Sequence, residues 1–406
     1  MKYEILVDAT EFWPRLRGDL QGARTRAWAQ MLTLEGDATG RALSAQLHRS
    51  PARDRRVLID HFTNLFHSDR FLRAPHNRMD RRLQRERCTT ERMVERLRRA
   101  DIPVRFTNPP GRLLQRIGIR DHKKVILIDD RVAYLGGINF SDHNFAWHDL
   151  MVRIECPDAV RFLEQSFLAT WSGGRAESWA TTGACDFYNL DGRDNPAGSA
   201  RLLELIAAAR QHVYVESPYL TFPFTDALRA ARCNGAHVTV ITPEANNRPL
   251  MKRYVAHECR RGGFELRSLA GGMSHLKAML IDDESLLVGS SNFDWPAYYQ
   301  LAEFVAVIRD RNAIDTFRRR VLEPDLDRSS VLVPHRHGAR APRPSFGALF
   351  AYGVMRALAG VACLVPPCAA TEEYQFPGRD RVPGRARTSG AEPDGAAVPQ
   401  TASAPA

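Results

Sequence analysis

Two histidines, two lysines and two asparagines recur at one spacing in distant parts of this chain. Residues 122–140 read HKKVILIDDRVAYLGGINF and residues 275–293 read HLKAMLIDDESLLVGSSNF; they align without a gap, and 9 of the 19 positions are identical. An imidazole attacks or exchanges protons near neutral pH, an ammonium neutralises an anion, and an amide donates to oxygen. One such side chain can do proton or nucleophile chemistry while its neighbour stabilises negative charge. A lone His-x-Lys on a strand is more often a structural histidine with satisfied bonds. Packing preserves apolar size and pattern rather than polar identity, so two copies matching in His, Lys, Asp, Gly and Asn point to chemistry.

In each copy His and Lys open an apolar run that reads as a strand, and side-chain alternation puts His122 with Lys124, and His275 with Lys277, on one face. Asp129–Asp130 and Asp282–Asp283 sit where the strand must turn back, which predicts a hairpin in each copy. Gly136, Gly137 and Asn139, and Gly289, Ser290, Ser291 and Asn292, then bring permissive backbone and an amide beside that face, a set of candidate phosphate donors. Upstream of the first copy the pattern predicts strand 28–34, helix 40–47, strand 57–60, helix 90–99 and strand 104–107. Upstream of the second it predicts helix 200–209, strand 212–216, helix 226–234, strand 238–242 and helix 250–261. Alternating strands and helices imply an α/β fold in which each half is a lobe with a mixed or parallel sheet flanked by helices.

At 406 residues the chain exceeds one ordinary core, consistent with two lobes. The expected boundaries are 1–172 for the first lobe, 173–198 for an exposed Gly/Ser/Thr-rich connection and 199–333 for the second lobe. A basic-flanked apolar segment (334–366) and a disordered, Pro/Ala/Gly-rich tail (367–406) follow. The seven cysteines form no CxxC pair, which argues against a disulfide framework or a zinc ribbon. Residues 1–12 carry Glu4, Asp8 and Glu11 without a long apolar run, so neither a signal peptide nor an N-terminal span is expected and the body is placed in the cytoplasm. The net charge of +10, mostly arginine, fits a phosphate-bearing partner, because the planar guanidinium binds two oxygens at once.

His-x-Lys, four residues, Asp, six residues and Gly-x-x-Asn, present twice, resembles the phospholipase D superfamily over roughly residues 20 to 325. The segments GGINFSDHN, Trp147-His148-Asp149, Phe167 to Trp171, SPYLTFP (217–223) and SSNFD (290–294) resemble its bacterial cardiolipin synthase branch. That branch usually follows the second motif with Asp-aromatic-Arg-Ser; this chain has Asp294-Trp295-Pro296-Ala297, which leaves the acceptor alcohol open. The resemblance implies two similar lobes, each a mixed sheet flanked by helices, packed pseudo-symmetrically around one site. It implies His122 as nucleophile through a phosphohistidine and His275 as general acid and base, with the reverse assignment open. Lys124, Lys277, Asn139 and Asn292 would hold the non-bridging oxygens. It also implies Asp149 and Glu303 as the carboxylates that orient the histidines. They follow His122 and His275 by 27 and 28 residues, and that spacing pairs Asp149 with His122 and Glu303 with His275. Asp129 and Asp282 are counted with the catalytic set by resemblance, although their position favours fastening the turn.

No cofactor and no metal are expected. His143 and His148 lie near Asp149, but the second half offers no matching ligand cluster. An anionic phospholipid is the expected substrate, since residues 346–364 are apolar and flanked by Arg336, Arg340 and Arg343, while Arg356 near the centre favours lying on a membrane surface over crossing it. The expected location is therefore the cytoplasmic face of the bacterial inner membrane, peripheral or anchored through the C-terminus. The arginines between Arg70 and Arg99 serve anionic head groups or nucleic-acid phosphates. Phe71 is the one aromatic there, so stacking on single strands is not supported and a nucleic-acid partner ranks below lipid. The resemblance thus implies phosphatidyl transfer, with a hydrolase or nuclease using water as the alternative. Oligomeric state is left undetermined.

Overall fold

The computed structural model describes residues 1–111 and 113–335, together with a few positions between 350 and 374. Both repeats fold alike. The run after His122–Lys124 becomes strand Val125–Ile128, which turns at Asp129 into the antiparallel strand Val132–Gly136; the second copy gives Ala278–Ile281 and Ser285–Gly289. Asp129, Asp282 and Asp283 hold φ of 49°, 51° and 55°, a left-handed conformation that aspartate tolerates better than β-branched or bulky residues do.

Each hairpin lies at the centre of a mixed sheet. In the first, the spatial order is Lys2–Val7, Leu150–Glu155, Val132–Gly136, Val125–Ile128, Arg26–Met31, Asp54–Asp60, Val104–Thr107 and Thr371–Glu372. In the second it is Trp179–Thr182, Cys185–Asp191, Ala302–Ile308, Ser285–Gly289, Ala278–Ile281, His212–Glu216, His237–Pro243, Glu265–Leu269 and Ser329–Val333. Three adjacent strands run parallel in each sheet, 26–31 with 54–60 and 104–107, and 212–216 with 237–243 and 265–269. The helices expected between them form as Ala38–Arg49 and Arg81–Arg99 in the first lobe, and as Asn195–Ala207, Phe224–Cys233 and Pro249–Gly262 in the second.

Strand alternation divides the core. Val125 and Leu127, with Ala278 and Leu280, belong to a cluster shared by both lobes, whereas Ile126 and Ile128 face the helices of the first lobe and Met279 and Ile281 those of the second. One face of each sheet is therefore buried against the other lobe. Removing either lobe would expose the apolar side chains of that shared cluster.

Three expectations are corrected or fall away. Residues 173–198 are more than a connection, because Cys185–Asp191 pairs along its length with Ala302–Ile308 and buries Cys185, Phe187, Tyr188 and Leu190; the Gly, Ser and Asp content marks its turns. The tail expected to be disordered contributes Thr371–Glu372 to the open edge of the first sheet, where Tyr374 sits edge-on to His61 and Phe106. The apolar segment 346–364 lies, but for isolated positions, outside the described residues. Among the described residues no helix is long and apolar enough to cross a membrane.

Candidate active site

The two histidine segments meet the opposite lobe through backbone bonds. His122 N donates to Ala302 O (2.8 Å) and Ala302 N to Arg120 O (2.9 Å); His148 N donates to Met273 O (2.9 Å) and His275 N to His148 O (2.7 Å). Each histidine is thus held beside the segment that carries the other lobe's carboxylate. His122 Nδ1 lies 2.8 Å from Glu303 Oε1, and His275 Nδ1 lies 2.8 Å from Asp149 Oδ2. This overturns the pairing expected from spacing. Matched separation along the chain reflected pseudo-symmetry, and the symmetry operates between lobes, not within one.

The residue before each histidine is anchored by the neighbouring strand. Gln30 Nε2 donates to Asp121 Oδ2 (2.7 Å) in one lobe, and Ser274 Oγ donates to Glu216 Oε1 (3.1 Å) in the other. Asp60 adds a second hold, accepting from Asp121 N (2.6 Å) and pairing with Arg120 at 2.8 Å. The sequence reading missed Gln30, Asp60 and Glu216, each of which lies at or near the end of a strand that the pattern did locate.

Both imidazoles and both ammonium groups are buried: His122 and His275 are 8% and 6% exposed, Lys124 and Lys277 2% each. Lys124 Nζ donates to His122 O (2.6 Å), and Lys277 Nζ contacts both His275 O and His275 Nδ1, the latter at 2.9 Å. Burial lowers the pKa of His122, against the pull of Glu303, and lowers that of His275 well below its ordinary value with help from Lys277 and Lys124. Both shifts favour the neutral ring in the absence of an anionic ligand, the form an attacking nitrogen requires. Burial also brings Lys124 down to about 7, partly offset by Glu303, and Lys277 to about 8, partly offset by Asp149. The two carboxylates differ. Burial lifts Asp149 to about 6 despite Lys277; in Glu303 the same effect is outweighed by His122, Lys124 and the Ser290 hydroxyl, which hold it below its ordinary value.

Asn139 and Asn292 occupy equivalent places and share an unusual feature: each is buried, with a side-chain oxygen that has no hydrogen-bond partner. A buried amide with unmet bonding capacity in both halves of a site suits a polar ligand. The remaining motif residues have other tasks than the phosphate contact expected of them. A Cβ on Gly137 would lie 2.2 Å from Asp149 Oδ1, and Cβ atoms on Gly136 and Gly289 would lie 2.3 Å from Leu150 O and 2.1 Å from Phe304 O, so these glycines let the carboxylate strands come close. The Ser290 hydroxyl donates to Glu303, and that of Ser291 to Asn292 O (2.9 Å). Asp129 and Asp282 sit at the far ends of the strands from the imidazoles. Asp129 accepts from the amides of Arg24, Thr25 and Arg26, and Asp282 from those of Arg210, Gln211 and His212. They fasten turns and touch no reacting group, which removes them from the catalytic set.

Aromatic and basic groups wall the second histidine. The Trp147 and Tyr219 rings lie 5.1 and 6.3 Å from that of His275, and the Arg248 guanidinium lies 4.9 Å over Tyr219, close enough to disfavour charge on His275. Arg248 stands outside both motifs, so no repeat signal pointed to it. His148 bridges Asp8 (2.8 Å) and Asp325 (2.9 Å), tying its segment to both lobes.

Twin His-x-Lys hairpins, paired across two sheets about a pseudo-dyad, define a phospholipase D-like fold and site. Residues 16–171 and 202–323 match the family described as cardiolipin synthase, PLD-like domain, and the chain belongs to that family. Cardiolipin synthase 2 of Staphylococcus epidermidis is 25% identical over 252 residues, covering 55% of this chain and 51% of its own length. Cardiolipin synthase 1 of Staphylococcus aureus is 25% identical over 254 residues, covering 55% and 50%. The chain therefore spans about half the length of these curated relatives. Among solved structures, the fold resembles phosphatidylserine synthase from Haemophilus influenzae (TM-score 0.66, 14% identity, covering 89% of this chain and 95% of that one). It also resembles polyphosphate kinase from Porphyromonas gingivalis (TM-score 0.57, 13% identity, covering 89% and 53%).

Proposed function

We propose that this protein is a phosphatidyltransferase that joins two phospholipids through a phosphohistidine on His122. The observation that carries the reading is the crossed arrangement, in which two imidazoles, each backed by the other lobe's carboxylate, share a site with two buried lysines. With phosphatidylglycerol, the negative phosphate and Asp149 favour the imidazolium form of His275. His122 Nε2 attacks phosphorus, the bond to the glycerol oxygen breaks, and that oxygen leaves with the Nε2 proton of His275, which becomes neutral. His275 then takes the proton of a hydroxyl on a second phosphatidylglycerol, that oxygen attacks phosphorus, and the bond to His122 breaks. The products are diphosphatidylglycerol and free glycerol. Lys124 and Lys277 offset the phosphoryl charge, and the asparagine amides turn their NH2 groups to its oxygens. His122 is assigned as nucleophile because positive charge grows on the ring that attacks, and Glu303 keeps its negative charge more firmly than Asp149.

A membrane-surface substrate is supported by the exterior. The helix Arg81–Arg99 exposes Arg81, Arg82, Arg85, Arg92, Arg96 and Arg99, and Met79 just before it is 78% exposed; Leu250, two residues from Arg248, is 75% exposed. Basic side chains next to protruding apolar ones fit an anionic lipid interface. We place the protein on the lipid surface reached from the cytoplasm.

The test is incubation of the purified protein with labelled phosphatidylglycerol in mixed micelles and, separately, with DNA. Formation of diphosphatidylglycerol with release of glycerol supports the reading; phosphatidic acid as sole product would make the enzyme a hydrolase, and release of nucleotides with no lipid product would reject a lipid substrate.

A further inference from the structure

We propose that Glu35, His67 and Glu86 form a binding site for one divalent transition-metal ion of the zinc class, beside the catalytic cleft and separate from it. The three residues come from three elements of the first lobe: the chain after strand Arg26–Met31, the small hairpin Phe66–His67/Arg70–Phe71, and the helix Arg81–Arg99. One ligand atom from each lies within 4.8 Å of the others.

The separation of His67 and Glu86 is long for a hydrogen bond and near that of two donors of one ion. His67 is 1% exposed, and its Nδ1 has no hydrogen-bond partner; Glu86 Oε1, 3.6 Å away, has none either. That distance is too long for a hydrogen bond, whose N···O separation is about 2.7–3.2 Å. It is close to the roughly 3.4 Å between donors of a tetrahedral ion with bonds of about 2.1 Å. Glu35, 1% exposed, accepts one bond from Ser68 N (3.1 Å), and among the described residues neither Glu35 nor Glu86 pairs with a lysine or arginine. Bound to an ion, the two carboxylates and the imidazole would together carry a charge of about −2, which a divalent cation cancels. His143 Nδ1 stands 3.9 Å from Glu35 Oε2, but the ring already meets Ser141 through Nδ1 and Asn144 through Nε2, so it flanks the site without completing it.

A second group, His148, Glu216 and Asp325, has comparable donors. There both ring nitrogens of His148 are bonded, to Asp8 and Asp325, and Glu216 accepts from Ser274, so the imidazole has no donor left for an ion. The unpartnered Nδ1 of His67 distinguishes the first group.

An ion held by Glu35, His67 and Glu86 would clamp the hairpin 66–71 and the arginine-rich helix to the strand layer. It would lie behind His143, whose ring is 5.1 Å from Trp147, itself 5.1 Å from His275. The role inferred is positional: no step at phosphorus passes through it.

The test uses the full-length, untagged protein, stripped with EDTA and titrated with ZnCl2. Metal content is read by mass spectrometry after gel filtration, and amide hydrogen exchange is followed over residues 66–71. The expected result is about one zinc per chain, with slowed exchange in the hairpin. His67→Gln and Glu86→Gln, checked for folding by circular dichroism, should each weaken zinc binding by more than the about 10–100-fold that losing a supporting partner costs. Glu216→Gln should leave it unchanged. Absence of bound zinc in the wild-type protein, or undiminished binding in folded His67→Gln and Glu86→Gln, overturns the assignment, as does loss confined to Glu216→Gln.

Discussion

An imidazole that must attack phosphorus has to be unprotonated, and one that must release an alcohol has to recover a proton within the same turnover. Burial supplies the first condition for both His122 and His275, and the carboxylate on each Nδ1 supplies the means for the second. His122→Ala and His275→Ala should each lower transfer by about 10³-fold or more. Because the pairs are crossed, Glu303→Gln combined with His122→Ala should cost no more than His122→Ala alone, whereas Asp149→Asn should add its full penalty to Glu303→Gln; kcat/KM in these double-mutant cycles is the readout. The titrations have a definite sign. Asp149, raised to about 6, loses its negative charge as pH falls through that value, and Lys124, lowered to about 7, and Lys277, to about 8, lose their positive charge as pH rises. Activity should therefore form a bell between those limits. Lys124→Arg, whose guanidinium stays charged, should move the alkaline limb upward in a pH profile even where it lowers the maximum. His122, Lys124, His275 and Lys277 were legible because repetition singled them out. The pairing of their carboxylates was not, since chain separation is blind to which lobe a side chain reaches into.

At the scale of elements, the motif glycines set how near the carboxylate strand can approach the hairpin. A methyl at Gly289 would meet Phe304 O at 2.1 Å, a backbone atom that cannot swing aside. Gly289→Ala should cost about 1–3 kcal/mol in denaturant unfolding, the range of an overpacked core. Glycine and serine after a strand read as phosphate donors because flexible backbone often serves anions; close strand packing asks for the same residue types. The strands and helices themselves were largely legible, with boundaries such as His212–Glu216 and Val104–Thr107 matching because alternation and turn residues bracket them. Strand Cys185–Asp191 was hidden by polar neighbours at its turns. The edge strand Thr371–Glu372 has too few residues to carry a period at all.

For the whole molecule, the shared cluster between the sheets gives the two lobes a common core beside the one each has against its own helices. A fragment ending near residue 172 and one beginning there should each be inactive and prone to aggregate, and co-expression should restore transfer, as measured by diphosphatidylglycerol formed from phosphatidylglycerol. Duplication made this architecture visible from one sequence: two equal halves carrying half a site each have to meet. The most direct measurement of that claim is the stoichiometry of the covalent intermediate. A radiolabelled phosphatidyl ester of p-nitrophenol, whose leaving group needs no proton, should place about one label per chain, on His122. The label should persist in His275→Ala, where no base activates the acceptor, and be absent from His122→Ala. Two labels per chain, one on each histidine, would contradict the account by making the lobes independent sites.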